Sequence, residues 1–330
     1  MKKRAALIPW LLVLLICCGA LAALNCGYSR IPYPEVLKSL VHPGASAYSL
    51  VIMRIRLPRI ALSVLCGMGL ALSGCTLQAL TENPLADPGI LGINAGAGFM
   101  VMILNAFFPS LHLNSRLYVP VFALAGALAA AALVYGFSRR NGKLRPGYLL
   151  LGGIGTSAGF SALMLVIGAD MKNNSFQSVA RWMAGNIWGS GWYQVSTLFP
   201  WLLVLAPLLF LRADSIDILA LGEEAARALG LKVERERRLL LVIASGCAAS
   251  CISVSGGIGF VGLVSPHIAG KLVGPRHKRL LAASMLVGGL LLLAADTAGR
   301  SLFQPLEIPA GIVVSVLAAP YFLYLLRRQV

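Results

Sequence analysis

The sequence predicts an all-α polytopic membrane protein of ten transmembrane helices. Three observations carry this prediction. Mean hydropathy is +0.80. Hydrophobic residues make up 58% of the 330 positions and charged residues only 12%, against about 25% charged in a soluble domain. The apolar residues also fall into runs of roughly 20, the helix length that crosses a hydrocarbon core of about 30 Å. No stretch has the mixed composition of a soluble domain, so residues 1–330 read as a single transmembrane domain.

The first run, 5–25, follows Lys2-Lys3-Arg4 and has the outline of a signal peptide. It is long, and no clear small-x-small cleavage site precedes Cys26, so it reads as a retained span. A more polar stretch, 25–57, leads to the second run, 58–80, which carries Gly67, Gly69 and Gly74. The third, 91–108, opens on Gly92-x-x-x-Gly96; the fourth is 118–138; the fifth, 147–168, carries Gly152, Gly153, Gly155 and Gly159. Small residues let helices approach closely in lipid, where apolar burial does not drive association. A helical ripple at 173–190 (Phe176, Val179, Trp182, Met183) predicts a short helix outside the bilayer core. The runs 195–211 and 239–255 flank a charged segment, 212–238. The eighth run, 260–270, is short for a crossing and reads as broken or half-buried in protein. Runs at 280–299 and 310–326 complete the ten.

The net charge of +16 does not mark a nucleic-acid binder, because its distribution follows the positive-inside rule. With the N-terminus inside, the inner segments hold Lys2–Arg4, Arg139–Arg145, Arg212–Arg238, Lys271–Arg279 and Arg327-Arg328, most of the 28 basic residues. An even number of crossings returns the C-terminus to the same side. The seven cysteines show no C-x-x-C or Cys/His spacing, so no metal site is expected. Cys247 and Cys251, four apart on one helix face, read as small packing residues.

Two loops look too structured for plain connectors. Thr81–Gly89 contains Pro84 and Pro88, which forbid helix continuation. Ser255–Gly262 is glycine-rich and leads to Ser265-Pro266-His267. Irregular backbone at membrane depth survives only where protein or a water-filled cavity covers it, and in transporters such breaks mark the pathway.

On the outer side, Arg54, Arg56 and Arg59 cluster where the second span begins, and Arg300 ends the ninth. Snorkelling to headgroups is the bland reading. The functional one is a docking site for carboxylates of an extracytoplasmic partner, which the guanidinium fork binds in pairs. Asp296 and Arg300, four apart, could instead pair with each other. The segment 212–238 holds twelve charged residues. It is either a solvated orienting segment or a docking element whose apolar stripe (Leu219, Ala226, Leu229) enters a groove on a cytoplasmic partner.

Catalytic patterns are poor, and no catalytic residue is assigned. Ala71-Leu72-Ser73-Gly74 with His267 is a weak echo of an intramembrane protease, and Ser73 reads as backbone-bonded filler. Gly142-Lys143 and Gly270-Lys271 lack the rest of a phosphate loop. Asp296 is the sole acid inside a predicted span, which leaves an ion-coupled transporter without its proton relay. Energy is therefore expected from a partner.

Arg56-Leu57-Pro58-Arg59 and Gln78-Ala79-Leu80-Thr81-Glu82-Asn83-Pro84-Leu85-Ala86-Asp87-Pro88-Gly89 resemble the signature of the FecCD-type permeases. So do Gly259–His267, Ala295–Arg300, Ile308–Ile312 and Ala319–Leu323. The family comprises transmembrane subunits of ABC importers for ferric siderophores, haem and vitamin B12. The resemblance implies a type II ABC importer permease in a bacterial cytoplasmic membrane. It implies a second permease subunit (the same chain or a paralogue), two cytoplasmic ATPase subunits that bind ATP and Mg, and an extracytoplasmic solute-binding protein. No cofactor is expected in this chain. Leu221, Gly222, Glu223, Ala226, Leu229 and Gly230 would form the ATPase-coupling contact, and Arg56, Arg59 and Arg300 would face the binding protein. Asn83 and Leu85 would lie near the cytoplasmic gate. A second gate strand would lie near Arg145–Tyr148, where Pro146-Gly147 replaces the small hydroxyl residues that related permeases can carry. An iron-siderophore complex is the expected cargo, with haem or vitamin B12 as the alternative.

Overall fold

The structure, a computed structural model, describes residues 2–26, 31–42, 47–108, 115–140, 143–144, 146–171, 173–302 and 306–329. Its helices are α1 (Lys2–Asn25), α2 (Tyr33–Val41), α3 (Ala47–Val51), a π-helical turn (Ile52–Arg56), α4 (Leu57–Thr81), α5 (Ile93–Phe107) and α6 (Ser115–Ser138). A two-residue hairpin, β1 (Arg139–Arg140) with β2 (Lys143–Leu144), precedes α7 (Pro146–Ala169). Then follow α8 (Asn173–Met183), α9 (Trp192–Leu211), α10 (Ala213–Leu219), α11 (Glu223–Ala228), α12 (Val233–Ser255), α13 (Val261–Val273), α14 (His277–Ser301) and α15 (Ala310–Gln329).

Among the described residues, seven helices are long and apolar enough to cross a membrane, and α5, α13 and the start of α15 are shorter apolar helices. Each of the ten predicted runs coincides with one of these. The polar stretch 25–57 is more helical than its composition predicts. It contains α2, α3 and the π-turn, and the last two continue into α4 as one apolar span, Tyr48–Thr81. Pro58, lacking an N–H, stands just after the π-turn, where a regular α-helical ladder would lose a bond.

The buried α4 is the hub, packed on α14, α12, α13 and α9. A methyl group at Gly67 would collide with the backbone of Gly288, and one at Gly288 with that of Gly67. These glycines let α4 and α14 run antiparallel at closest approach. A second group, α5, α6 and α7, joins the hub through α12, and α1 lies along α14. Leu151, Ile154, Leu165 and Val166 of α7 are exposed, as the outer surface of a bundle in lipid or against another copy requires.

The predicted break in the eighth span is real. After α12, residues 256–260 turn back so that α13 starts inside the bundle, with Gly262 against Gly74 and the Leu70 carbonyl. The short helix α8 is present as the ripple predicts. Its end does more than lie on the surface: Trp182 accepts the Gly257 N–H (3.4 Å), and just beyond it Gly185 accepts the Gly311 N–H (3.1 Å). This segment therefore satisfies backbone groups at the broken end of α12 and the start of α15.

Candidate functional site

Three clusters of functional side chains form, one at each end of α4 and one beside its return loop. At the end where α4 begins, Arg59 is held by two acids. Its Nε and Nη2 donate to Asp296 at 2.9–3.0 Å, and its Nη1 donates to Glu307 Oε2 at 2.8 Å. Arg56 donates to the Leu24 carbonyl and Arg300 to the Ala23 carbonyl, so both clamp the end of α1. Asp296 thus pairs with Arg59, not with Arg300. All three predicted docking arginines are buried within the chain, at 5–8% exposure. Arg54, one turn earlier, is exposed. It borders a cavity of about 480 Å³ together with Arg59, Trp188, Trp192, Tyr193 and Glu307.

At the other end, α10 and α11 form the charged face predicted at 212–238. Gly222 (φ +98°) precedes α11 and Gly230 (φ +82°) follows it. Both angles are left-handed and favour glycine. The Leu231 N–H bonds back to Ala226 O and the Gly230 N–H to Arg227 O, closing the helix in a Schellman motif. The expected apolar stripe divides. Leu219 and Ala226 are buried in the chain's own core, whereas Leu221 and Leu229 are exposed by 66% and 63%. Glu223 takes Arg227 at 2.6 Å and Arg237 at 3.1 Å. Asp217 accepts the backbone N–H of His277 (3.0 Å) and meets its Nδ1 (2.7 Å), tying α10 to the first turn of α14.

Between these ends, the loop after α4 folds back toward the bundle. Asn83 shapes it: its Oδ1 accepts the Leu85 N–H at 2.9 Å, and its N–H returns to Gln78 O at 3.1 Å. Asn83 and Leu85 are both partly exposed. Asp87 is buried, accepts the Gly89 N–H at 2.8 Å, and lies beside Gly262. Burial pushes its carboxyl up to about 6, while N–H donors from Gly89 and from Leu263, in the first turn of α13, pull it down. Gln78 also reaches this point, donating to Leu263 O at 3.2 Å. The loop and the broken helix are therefore one packed unit.

No strand covers 146–148, where the resemblance implies a second gate strand. The strand pair ends at Leu144, and Pro146, Gly147 and Tyr148 begin α7, in line with proline's fit to a first helical turn. Arg145 and the Pro146 side chain lie outside the described residues; Gly147 is exposed. Ser73 donates to the Ala244 carbonyl at 2.7 Å, and His267 packs edge-on against Tyr321. Neither arrangement activates a nucleophile.

Sequence reasoning does not single out Glu82, Gln78, Arg237, Asp217 or His277 as functional. Arg237 is one of several charges in Val233-Glu234-Arg235-Glu236-Arg237-Arg238, and only helical phase separates buried Glu236 and Arg237 from exposed Arg235 and Arg238.

Comparison with known proteins agrees with this arrangement. Residues 11–328 match the model of the FecCD transport family. The iron(3+)-hydroxamate import system permease protein FhuG of Bacillus subtilis is 42% identical over 93% of this chain and 92% of its own length. The cobalamin import system permease protein BtuC of Halobacterium salinarum is 39% identical over 91% and 80%. A solved metal-chelate type ABC transporter in an inward-facing conformation has a TM-score of 0.86 and 31% identity, covering 97% of this chain and 99% of that one. Buried arginine–acid clamps at one end, a charged two-helix face at the other and a broken helix between them thus sit in a chain that belongs to the FecCD transport family.

Proposed function

We propose that this chain is the permease subunit of an ATP-driven importer that moves a ferric siderophore complex across a bacterial cytoplasmic membrane. The observation that carries the reading is the α10–α11 face. It is charged, bears exposed Leu221 and Leu229, has left-handed glycines on both sides of α11, and packs directly on the ends of α12 and α14. A membrane protein without a phosphate loop has use for such a face when a nucleotide-hydrolysing partner docks there. Two ATPase subunits then dock on this face in the assembled pair of permeases, with both termini on the same, cytoplasmic side. The exposed apolar flank of α7 offers a surface for the second permease subunit.

In this mechanism the binding protein docks at the opposite end. Exposed Arg54 and the cavity edged by Glu307 receive it, while Arg56, Arg59 and Arg300 hold the ends of α1, α4 and α14 in place. Closure of the ATPases displaces α11, and the broken α12–α13 junction with the Asn83–Asp87 loop opens and closes the path. This reading counts ten crossings, supported by the seven long and three shorter apolar helices.

The siderophore assignment draws on the hydroxamate permease relative, and the cobalamin permease relative favours vitamin B12 as the alternative cargo. Cells deleted for this chain, and then complemented, are tested for uptake of radiolabelled ferric hydroxamate, cobalamin and haem in parallel. Restored iron uptake supports the assignment. Restored cobalamin or haem uptake alone replaces the cargo and keeps the machine.

A further inference from the structure

Arg237 lies in the second turn of α12 with its side chain only 6% exposed. Its guanidinium reaches three separate elements. Nη1 donates to Glu223 Oε2 of α11 at 3.1 Å and to the Leu144 carbonyl of β2 at 3.5 Å. Nη2 lies 3.6 Å from Glu82 Oε1, the residue that ends α4. Glu234, in the first turn of α12, accepts the Leu144 N–H at 2.8 Å, so both backbone groups of Leu144 are held by α12 side chains.

These partners have specific neighbours. Glu223 is the first residue of the exposed helix proposed to meet the ATPase. Glu82 immediately precedes Asn83–Leu85, and it sits at φ +52°, a left-handed angle that L-residues rarely adopt. Leu144 stands two residues before Pro146 and the start of α7. One buried guanidinium therefore touches the coupling helix and the stretch next to each inner loop.

We propose that Arg237 is a positioning residue that carries displacement of α11 to the inner gate. The proposal rests on the importer reading given above. Within α11, Ala226 is the buried residue, so the helix has little packing through which to pull its neighbours. Its flanking glycines let it pivot. A polar tie is then needed, and the planar guanidinium of Arg237 supplies it, donating to Glu223 at 3.1 Å and facing the Leu144 carbonyl at 3.5 Å and Glu82 at 3.6 Å. When α11 moves, Arg237 either follows Glu223 or is left with Glu82 and the Leu144 carbonyl. Each alternative changes the hold on the left-handed residue at the end of α4.

The test uses the full complex of permease, ATPase and binding protein in proteoliposomes, with Leu85→Cys as reporter. Maleimide labelling of the thiol introduced at position 85, located by peptide mass, is compared between nucleotide-free and ATP-trapped forms. ATP hydrolysis is measured in parallel. The reporter background is expected to change its labelling rate roughly fivefold or more, the lower end of allosteric coupling. Arg237→Gln and Glu82→Gln should collapse that change while hydrolysis continues, and the double variant should be no worse than either single. Because the Glu82 side chain is 60% exposed, Glu82→Gln preserves folding if Arg237→Gln does not. A labelling change that survives in Glu82→Gln and in a folded Arg237→Gln overturns the relay. A reporter background that hydrolyses ATP without any change in labelling at position 85 overturns it as well. A complex with no hydrolysis at all overturns the importer reading beneath it.

Discussion

Asp87 keeps a carboxyl buried beside the first turn of α13, with a value raised to about 6 by that burial. The folded chain holds the proton more tightly than an unfolded carboxyl near 3.8, so stability falls as pH rises from about 4 to about 6 and is flat above that window. Asp87→Asn keeps an oxygen for the Gly89 N–H and carries no charge. Its melting temperature in detergent should lose the pH dependence between about 4 and about 6 and equal or exceed that of the parent at neutral pH. A second residue-scale prediction concerns Arg59. Asp296→Ala leaves a buried guanidinium with half its partners, and breaking such a pair costs about 3 kcal/mol. A clear fall in melting temperature is expected, larger than for Glu307→Ala, because Glu307 is the more exposed partner. Residue chemistry is the least legible part of the sequence. Arg56, Arg59 and Arg300 are identifiable there, but their burial is not, because their partners are Ala23 and Leu24 carbonyls and an acid 237 positions away. Backbone acceptors leave no mark in a sequence.

The elements are easier to read. Runs of apolar residues set α1, α4, α6, α7, α9, α12 and α14, and the glycine-rich 255–262 stretch announces the broken junction before α13. The helices α2 and α3 and the π-turn escape a reading of composition, because the segment is polar and hides the continuation of α3 and the π-turn into α4. The strand pair ends at Leu144, before the gate strand that the resemblance implies near Arg145–Tyr148, because Pro146 fits the first turn of a helix. Two predictions belong here. Gly230→Ala meets no neighbour in space, so its cost is the left-handed backbone alone, about 1 kcal/mol. The chain should fold and assemble, and ATP hydrolysis should yield less uptake per turnover. Uptake and hydrolysis both at parent levels would remove Gly230 from the coupling contact. Gly288→Leu drives a side chain into Gly67 and Ala71, and should lower stability by roughly 1–3 kcal/mol in a detergent melt.

Across the whole molecule, the structure joins two ends through α4 and α14. These antiparallel helices link the Arg59–Asp296 clamp to Glu82 at one foot and to His277–Asp217 at the other. A permease that must relay docking on one side to opening on the other needs such stiff connections, and the close Gly67–Gly288 contact supplies stiffness through packing in lipid. Whole-molecule class is legible from hydropathy and charge bias alone, and the proposed importer reading assigns the energy to a separate ATPase. The most direct test of that claim is ferric hydroxamate uptake into proteoliposomes holding the permease with its ATPase and binding protein. Uptake should require ATP and stop when the ATPase is inactivated. Uptake that continues with an inactive ATPase, driven by a proton or sodium gradient, would contradict the account.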